Sequence, residues 1–240
     1  GMVIFLVFFG RYGVKGQLPA DVYRKKVQWR GYLEILLPMF ICEFFWALGE
    51  NAYAFIYSHM GTKPYAAMTL IYPLVSMSVG VLTGVSQAAG IMTGRLLGAG
   101  EETKAYMTAK KMMKTGLAAS LGLCALIFLF RPFYVQIFKV EPEVRETTAM
   151  IVTAFTLLFP VKVQNMILGG GVLRSGGKTK YMMAVDLFGT WAVGVPVGFL
   201  SAFFLKLPIA EVYFLLSLEE VVRLGISGRL FQRRVWMKRL

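Results

Sequence analysis

Charge is scarce in this chain. Of its 240 residues only 16% are Asp, Glu, Lys or Arg, while 57% are hydrophobic. Water-soluble domains carry about 25% charged residues, so this composition excludes an ordinary soluble domain. One histidine and two cysteines are present. Cys42 and Cys124 fall in apolar runs, far from any Cys-x-x-Cys or Cys/His grouping, and that excludes a zinc site. His59 lies in a loop and reads as an interfacial polar residue. With no metal cluster and no nucleophile beside a base, an enzyme is not expected, and no cofactor or metal is implied.

What takes the place of charge is apolar length. Residues 64–94 are 31 consecutive positions without a formal charge, where about 20 suffice to cross a bilayer as a helix. Charge-poor runs give six spans, roughly 33–58, 65–94, 112–130, 147–170, 181–205 and 208–228. The fold class is therefore an all-α polytopic membrane protein, a six-transmembrane-helix bundle occupying 33–228. Ahead of it, Met2 to Phe9 is apolar but too short to span. It lacks the basic start and small-residue cleavage site of a signal peptide, so 1–9 reads as the tail of a preceding helix and the chain as a fragment of something longer. Residues 10–32 read as an amphipathic cytoplasmic linker, basic and interleaved with Tyr23, Trp29 and Tyr32 as interfacial helices are. Residues 229–240 read as a basic cytoplasmic tail.

The net charge of +13 raises nucleic acid as a partner, and its distribution argues against one. If six spans alternate, the segments at one side carry 20 of the 26 basic residues. Arg24, Lys25, Lys26, Arg95, Lys110, Arg174, Arg229 and Arg233 are among them. Lys and Arg collect on the cytoplasmic side, so both ends are expected inside a multi-pass protein of the plasma membrane. The excess charge is read as topology and contact with anionic lipid.

The stretch GGGVLRSGGKT, 169–179, imitates a phosphate loop. A Walker A motif needs G-x-x-x-x-G-K-[ST] between a strand and a helix. Five residues before Gly177 stands Val172, and an apolar helical run precedes the loop. Spacing and context both fail. A related pattern, Gly94-Arg-Leu-Leu-Gly-Ala-Gly100 followed by Thr103-Lys104, leaves span two on the same side. Both read as tight turns in which glycine closes one helix and threonine caps the next, and the match hints at an internal repeat.

With these pieces in hand the chain resembles the carboxy-terminal half of the multidrug and toxic compound extrusion (MATE) transporters. The resemblance runs in order from Leu37-Pro38 and Glu43-Phe-Phe-Trp-Ala-Leu-Gly49, through Tyr57-Ser-His-Met-Gly-Thr62 and the Gly94–Gly100 turn. It continues with Gly171–Lys180, Asp186-Leu-Phe-Gly-Thr-Trp191 and Gly194-Val-Pro-Val-Gly198, and ends at Leu218-Glu-Glu-Val-Val222. It implies half of a twelve-helix, two-bundle antiporter, with the amino-terminal six-helix half missing. Such antiporters export small organic compounds, often cationic, in exchange for H+ or Na+. Some members bind a cation with acids from helices seven and ten. Here the seventh helix has candidate acids, whereas span four, the tenth, offers Lys162, Gln164 and Asn165 and no acid.

Ionisable side chains inside spans are costly and mark function by default. Glu43 and Glu50 lie seven residues apart, on nearly one stripe of span one, and a carboxylate in an apolar cavity takes up a proton more readily than one in water. They are the cation- or proton-coupling candidates, against a structural role in hydrogen bonding a neighbouring helix. Lys162, with Gln164 and Asn165, is a gate or structural candidate, and Glu43 or Glu50 is its expected partner. Asp186 is expected to pair with Arg174 or Lys178 near the inner gate. Glu219 and Glu220 are read as an intrahelical salt bridge with Arg223. Among many aromatics and methionines, Trp46, Tyr53 and Met77 are the candidates for lining a substrate cavity; most of the others read as packing or lipid-facing. Two alternatives stand beside the exporter: a lipid-linked saccharide flippase of similar architecture, which needs a cationic cavity, and a non-transporting scaffold or channel subunit.

Overall fold

The structure, a computed structural model, describes residues 29–177 and 179–237. Among the described residues seven longer helices follow one another: α1 Trp29–His59, α2 Thr62–Gly98, α3 Glu102–Ile137, α4 Pro142–Leu173, α5 Tyr181–Phe204, α6 Ile209–Ser217 and α7 Glu219–Gln232. Four of them, α2 to α5, are long and apolar enough to cross a membrane. The first expected span falls within α1, and the sixth falls on α6 and α7 together. The expected tail at 1–9 and most of the linker at 10–32 lie outside the described residues. The site described below belongs wholly to the unit Pro38–Leu240.

The central helix is α4. It packs against α2, α3, α6 and α7, and 56% of its apolar window is buried against 22–28% for the other three spanning helices. Ile151, Val152, Phe159, Val163, Ile167, Leu168 and Val172, all of α4, are fully buried. The outward faces of α2, α3 and α5 instead expose Val81, Leu129, Ile137 and Phe204. Water would penalise such faces and lipid does not.

Cross-links at both ends fix the up-and-down order. Lys63 at the start of α2 binds Glu141 and Glu143 at the start of α4, at 2.9 and 2.7 Å. At the other end of the same helices Thr93 Oγ1 meets Ser175 Oγ at 2.8 Å. Trp236, beyond α7, packs its backbone against Gly176. The turn after α2, the turn after α4 and the end of α7 therefore share one end of the bundle. The expected basic tail continues α7 to Gln232, and Trp236 is buried.

The glycine loop divides into two parts. Gly169, Gly170 and Gly171 do not close a helix; they lie inside α4, whose last stretch, Met166–Leu173, is wound in wider π turns. A Cβ on Gly171 would sit 2.5 Å from the Ser86 carbonyl oxygen, and one on Gly90 would sit 3.3 Å from Gly171 Cα. These glycines let α2 and α4 touch backbone to backbone. The turn itself is made by Gly177, with φ 73°, whose N–H donates to the Arg174 carbonyl at 3.1 Å. Gly100 does the same after α2, with φ 77° and an N–H to the Leu97 carbonyl at 3.0 Å. Left-handed φ favours glycine at both, so the two turns are structurally as well as sequentially alike.

Candidate functional site

Three departures from regular helix converge at mid-bundle. Within α4, Pro160 has no N–H to give to the Thr156 carbonyl, and the Cys124 thiol donates to that oxygen at 3.3 Å. Within α5, Phe188–Gly194 is wound in π turns. Between α6 and α7 the helix is irregular at Leu218, whose N–H bonds the Leu215 carbonyl at 3.1 Å. Leu218 keeps helical φ and ψ and the Val221 N–H bonds its carbonyl at 3.0 Å, so the helix tightens there and carries Glu219 and Glu220 directly after the tightened turn.

Both carboxylates are buried, and each meets a tethered cation. Lys162 Nζ of α4 donates to Glu220 Oε1 at 3.0 Å. Asn165 Nδ2 donates to Glu220 Oε2 at 2.8 Å and to the Glu220 carbonyl at 2.6 Å. Arg223 Nη2 lies 3.2 Å from Glu219 Oε1, and Tyr53 Oη of α1 donates to Glu219 Oε2 at 2.6 Å. Arg223 also donates to Thr190 Oγ1 of α5. Glycine makes room for this cluster: a Cβ on Gly194 would overlap Tyr53 Oη and Glu219, and one on Gly189 would overlap the Arg223 side chain.

Beside the cluster is a cavity of about 110 Å³ lined by Glu50, Tyr53, Tyr72, Lys162, Tyr213 and Glu220, among others. A water occupies about 30 Å³, so the space suits an ion or a few waters and not a drug-sized molecule, which needs about 300 Å³ or more.

Several expected pairings are revised. Lys162 pairs with Glu220 and not with Glu43 or Glu50. The intrahelical pair expected for Glu219 and Arg223 is present, but Glu220 turns away from it to Lys162. Arg223, at the end of the sixth expected span, is one of the 20 basic residues assigned above to the cytoplasmic side, and it is instead buried inside the bundle. Asp186 is half-buried with an oxygen 3.7 Å from Arg174 Nη2, the expected partner; Lys178 lies outside the described residues. Gln164 is buried and donates to the Met113 carbonyl at 3.1 Å, tying α4 to α3. Of the cavity candidates, Tyr53 lines the space, whereas Trp46 and Met77 are 51% and 74% exposed and do not. Of the two coupling candidates, Glu50 lines it and Glu43 does not.

Sequence reasoning overlooked Glu219 and Glu220 as cavity residues. A signal was present: Arg223 can neutralise only one of two adjacent acids, and Lys162 needs a buried counter-charge.

These features define an integral membrane helical bundle with a charge-paired cavity at its centre. The model of the MatE family matches residues 38–200, and the chain belongs to that family. It is 20% identical over its whole length to the uncharacterised transporter YisQ of Bacillus subtilis, covering 52% of that protein. Against multidrug and toxin extrusion protein 1 of Danio rerio it is 26% identical, covering 76% of this chain and 31% of the relative. The chain thus spans from about a third to half the length of these relatives. Among solved structures, a MOP-superfamily transporter from Pyrococcus furiosus superposes with a TM-score of 0.75 at 16% identity, over 81% of this chain and 42% of that one. A MATE structure in complex with MaD3S superposes at 0.77, over 83% and 45%. At that identity the likeness is one of fold.

Proposed function

We propose that the chain forms one six-helix lobe, residues 33–228, of a two-lobe secondary-active antiporter. In this reading the antiporter exports small organic, typically cationic, compounds in exchange for protons or sodium ions, by alternating access of two bundles. Residues 1–9 are the end of a preceding helix, 10–32 an interfacial linker to a partner lobe and 229–240 a basic end. Both ends face the cytoplasm of a plasma-membrane protein, an orientation supported by the basic turns gathered at one end of the bundle.

One observation carries the coupling role. Glu219 and Glu220 are each matched by a tethered cation, while Glu50 lines the same cavity with no ion-pair partner among the described residues. An acid without a fixed counter-ion is the one that gains most from an exchangeable cation, so Glu50 is the residue that binds and releases it. Glu43, away from the cavity, is the weaker candidate. Asp186 with Arg174 latches the inner end, and Lys162, Gln164 and Asn165 hold the central helix in register with its neighbours. The three carboxylates on the cavity against a single lysine disfavour a flippase for anionic lipid-linked saccharides.

The test is efflux of a fluorescent organic cation from proteoliposomes containing the full-length protein, under a proton or a sodium gradient. Glu50→Gln is expected to lower gradient-driven efflux about a hundredfold or more, the scale of one essential proton-transfer group, while Glu43→Gln leaves it nearly unchanged. Unaltered efflux in Glu50→Gln removes Glu50 from the coupling role. If the full-length protein moves no organic cation under either gradient, the exporter reading falls and a scaffold or channel role takes its place.

A further inference from the structure

Away from the charged cavity, a groove of about 660 Å³ opens on the side of the bundle where α3 ends and α4 and α6 begin. Three charges line it: Arg131 from α3, Glu146 from α4 and Glu211 from α6. Among the described residues none of the three is in a salt bridge. Arg131 is nevertheless held in place. It donates to Thr153 Oγ1 of α4, and its guanidinium lies 5.2 Å from the centre of the Phe128 ring. An arginine has five N–H donors, so others remain for a ligand. The rest of the lining is apolar, with Ala149, Ala154 and Ala210 leaving space beside Leu157.

The depth of the groove sets what fits it. Its charged part lies at the end where Lys63 binds Glu141 and Glu143, opposite the basic turns. From Glu146 to Leu157 the helix descends about 16 Å at 1.5 Å per residue. Arg131 is anchored at Thr153, about 10 Å of that descent below Glu146, so a headgroup reaching from one to the other leaves about 6 Å, down to Leu157, for the start of an acyl chain.

We propose that this groove is a site for one aminophospholipid of the leaflet at that end. Its phosphate sits on Arg131, its ammonium is received by Glu146 and Glu211, and the start of one acyl chain lies against Ala154 and Leu157. The charges select the class. A primary ammonium donates hydrogen bonds to both carboxylates, whereas a quaternary choline has no N–H to give. An anionic headgroup without an amine satisfies Arg131 but meets two uncompensated acids. The site depends on the chain lying in a membrane, and not on the transport activity proposed above.

The test is native mass spectrometry of the full-length protein released from vesicles of equal parts phosphatidylethanolamine, phosphatidylcholine and phosphatidylglycerol. One retained phosphatidylethanolamine is expected, enriched about fivefold over each competitor, the scale of two exposed charge contacts. Glu146→Gln with Glu211→Gln should abolish the preference while lipid is still retained, and Arg131→Gln should lower retention of all three. Equal retention of the three lipids by the unaltered protein overturns the proposal, as does an ethanolamine preference that survives the double substitution. A dimer that excludes lipid and dissociates with Arg131→Gln would assign the groove to a second copy of the chain instead.

Discussion

Replacing Lys162 by Met should show that the centre of the bundle is a coupled ion pair and not two independent polar contacts. Removing one partner of a fully buried pair costs about 3–5 kcal/mol. The Glu220 side chain is only 9% exposed, but that of Lys162 is 39% exposed on the cavity side, so part of the ammonium's interaction is already with water. Asn165 also continues to hold the abandoned carboxylate. We expect about 2 kcal/mol for Lys162→Met, and about 1 kcal/mol for Glu220→Gln, which leaves the more accessible partner behind. The double variant removes the stranded charge and should cost about 1.5 kcal/mol, short of the roughly 3 kcal/mol that additivity requires. Domains of this size lose about 2–4 °C per kcal/mol, so thermal unfolding in detergent resolves the difference. Strict additivity, with the double variant as unstable as the two singles combined, would refute the pairing.

Glycine substitutions test the packing around the cluster. Gly194→Ala puts a methyl group into Tyr53 Oη and Glu219 and should cost about 1–3 kcal/mol in a melting experiment, while Gly80→Ala, with open space around it, should be neutral or stabilising by up to about 1 kcal/mol. Equal melting temperatures for these two variants would remove the steric account. Gly171→Ala, pressed against the Ser86 carbonyl, should separate α2 from α4, read as faster hydrogen exchange in the Met166–Leu173 turns. At the basic end, Gly177→Ala forces a side chain into left-handed φ at a cost of about 1 kcal/mol, and the equivalent change at Gly100 should match it if the two turns are alike.

Much of the fold was legible in the sequence because it rests on local chemistry. Charge-free length marks the spans, and positive-φ glycines mark where α2 and α4 end. The Asp186–Arg174 pair follows from proximity along the chain. The central pair was not legible, for a geometric reason. Lys162 is 20 residues beyond the start of α4 and Glu220 is 11 residues beyond the start of α6, about 30 and 16 Å at ideal rise. Depth counted on straight, parallel helices separates them. Their meeting depends on helix inclination and the long reach of a lysine, neither of which leaves a mark in nearby residues. The role of Gly169–Gly171 was misread for a related reason: a glycine run near a helix end reads as a terminator, while the requirement at Gly171 comes from the carbonyl of Ser86 on another helix.

The irregular turns and the buried charges belong to one physical problem. A regular helix in lipid satisfies its own backbone and has nothing left for a polar neighbour. Here the helix tightens at Leu218, between α6 and α7, and the two adjacent carboxylates that follow, Glu219 and Glu220, turn to different cations. The π turns of α5 bring Gly189, Thr190 and Gly194 onto the same cluster, with Thr190 accepting from Arg223 and the two glycines clearing space. Pro160 interrupts α4 shortly before Lys162, and its orphaned carbonyl partner is satisfied by Cys124. Each irregularity is thus compensated by a specific side chain, and together they allow four charges to lie at the centre of an otherwise apolar bundle. Such an arrangement costs stability unless each charge is paired, and all four are, with the buried Arg223 Nε left without a hydrogen-bond partner among the described residues. On the proposed reading, an exchangeable cation meets Glu50 without an ion-pair partner among the described residues, and reaches Glu219 or Glu220 only by displacing Arg223 or Lys162.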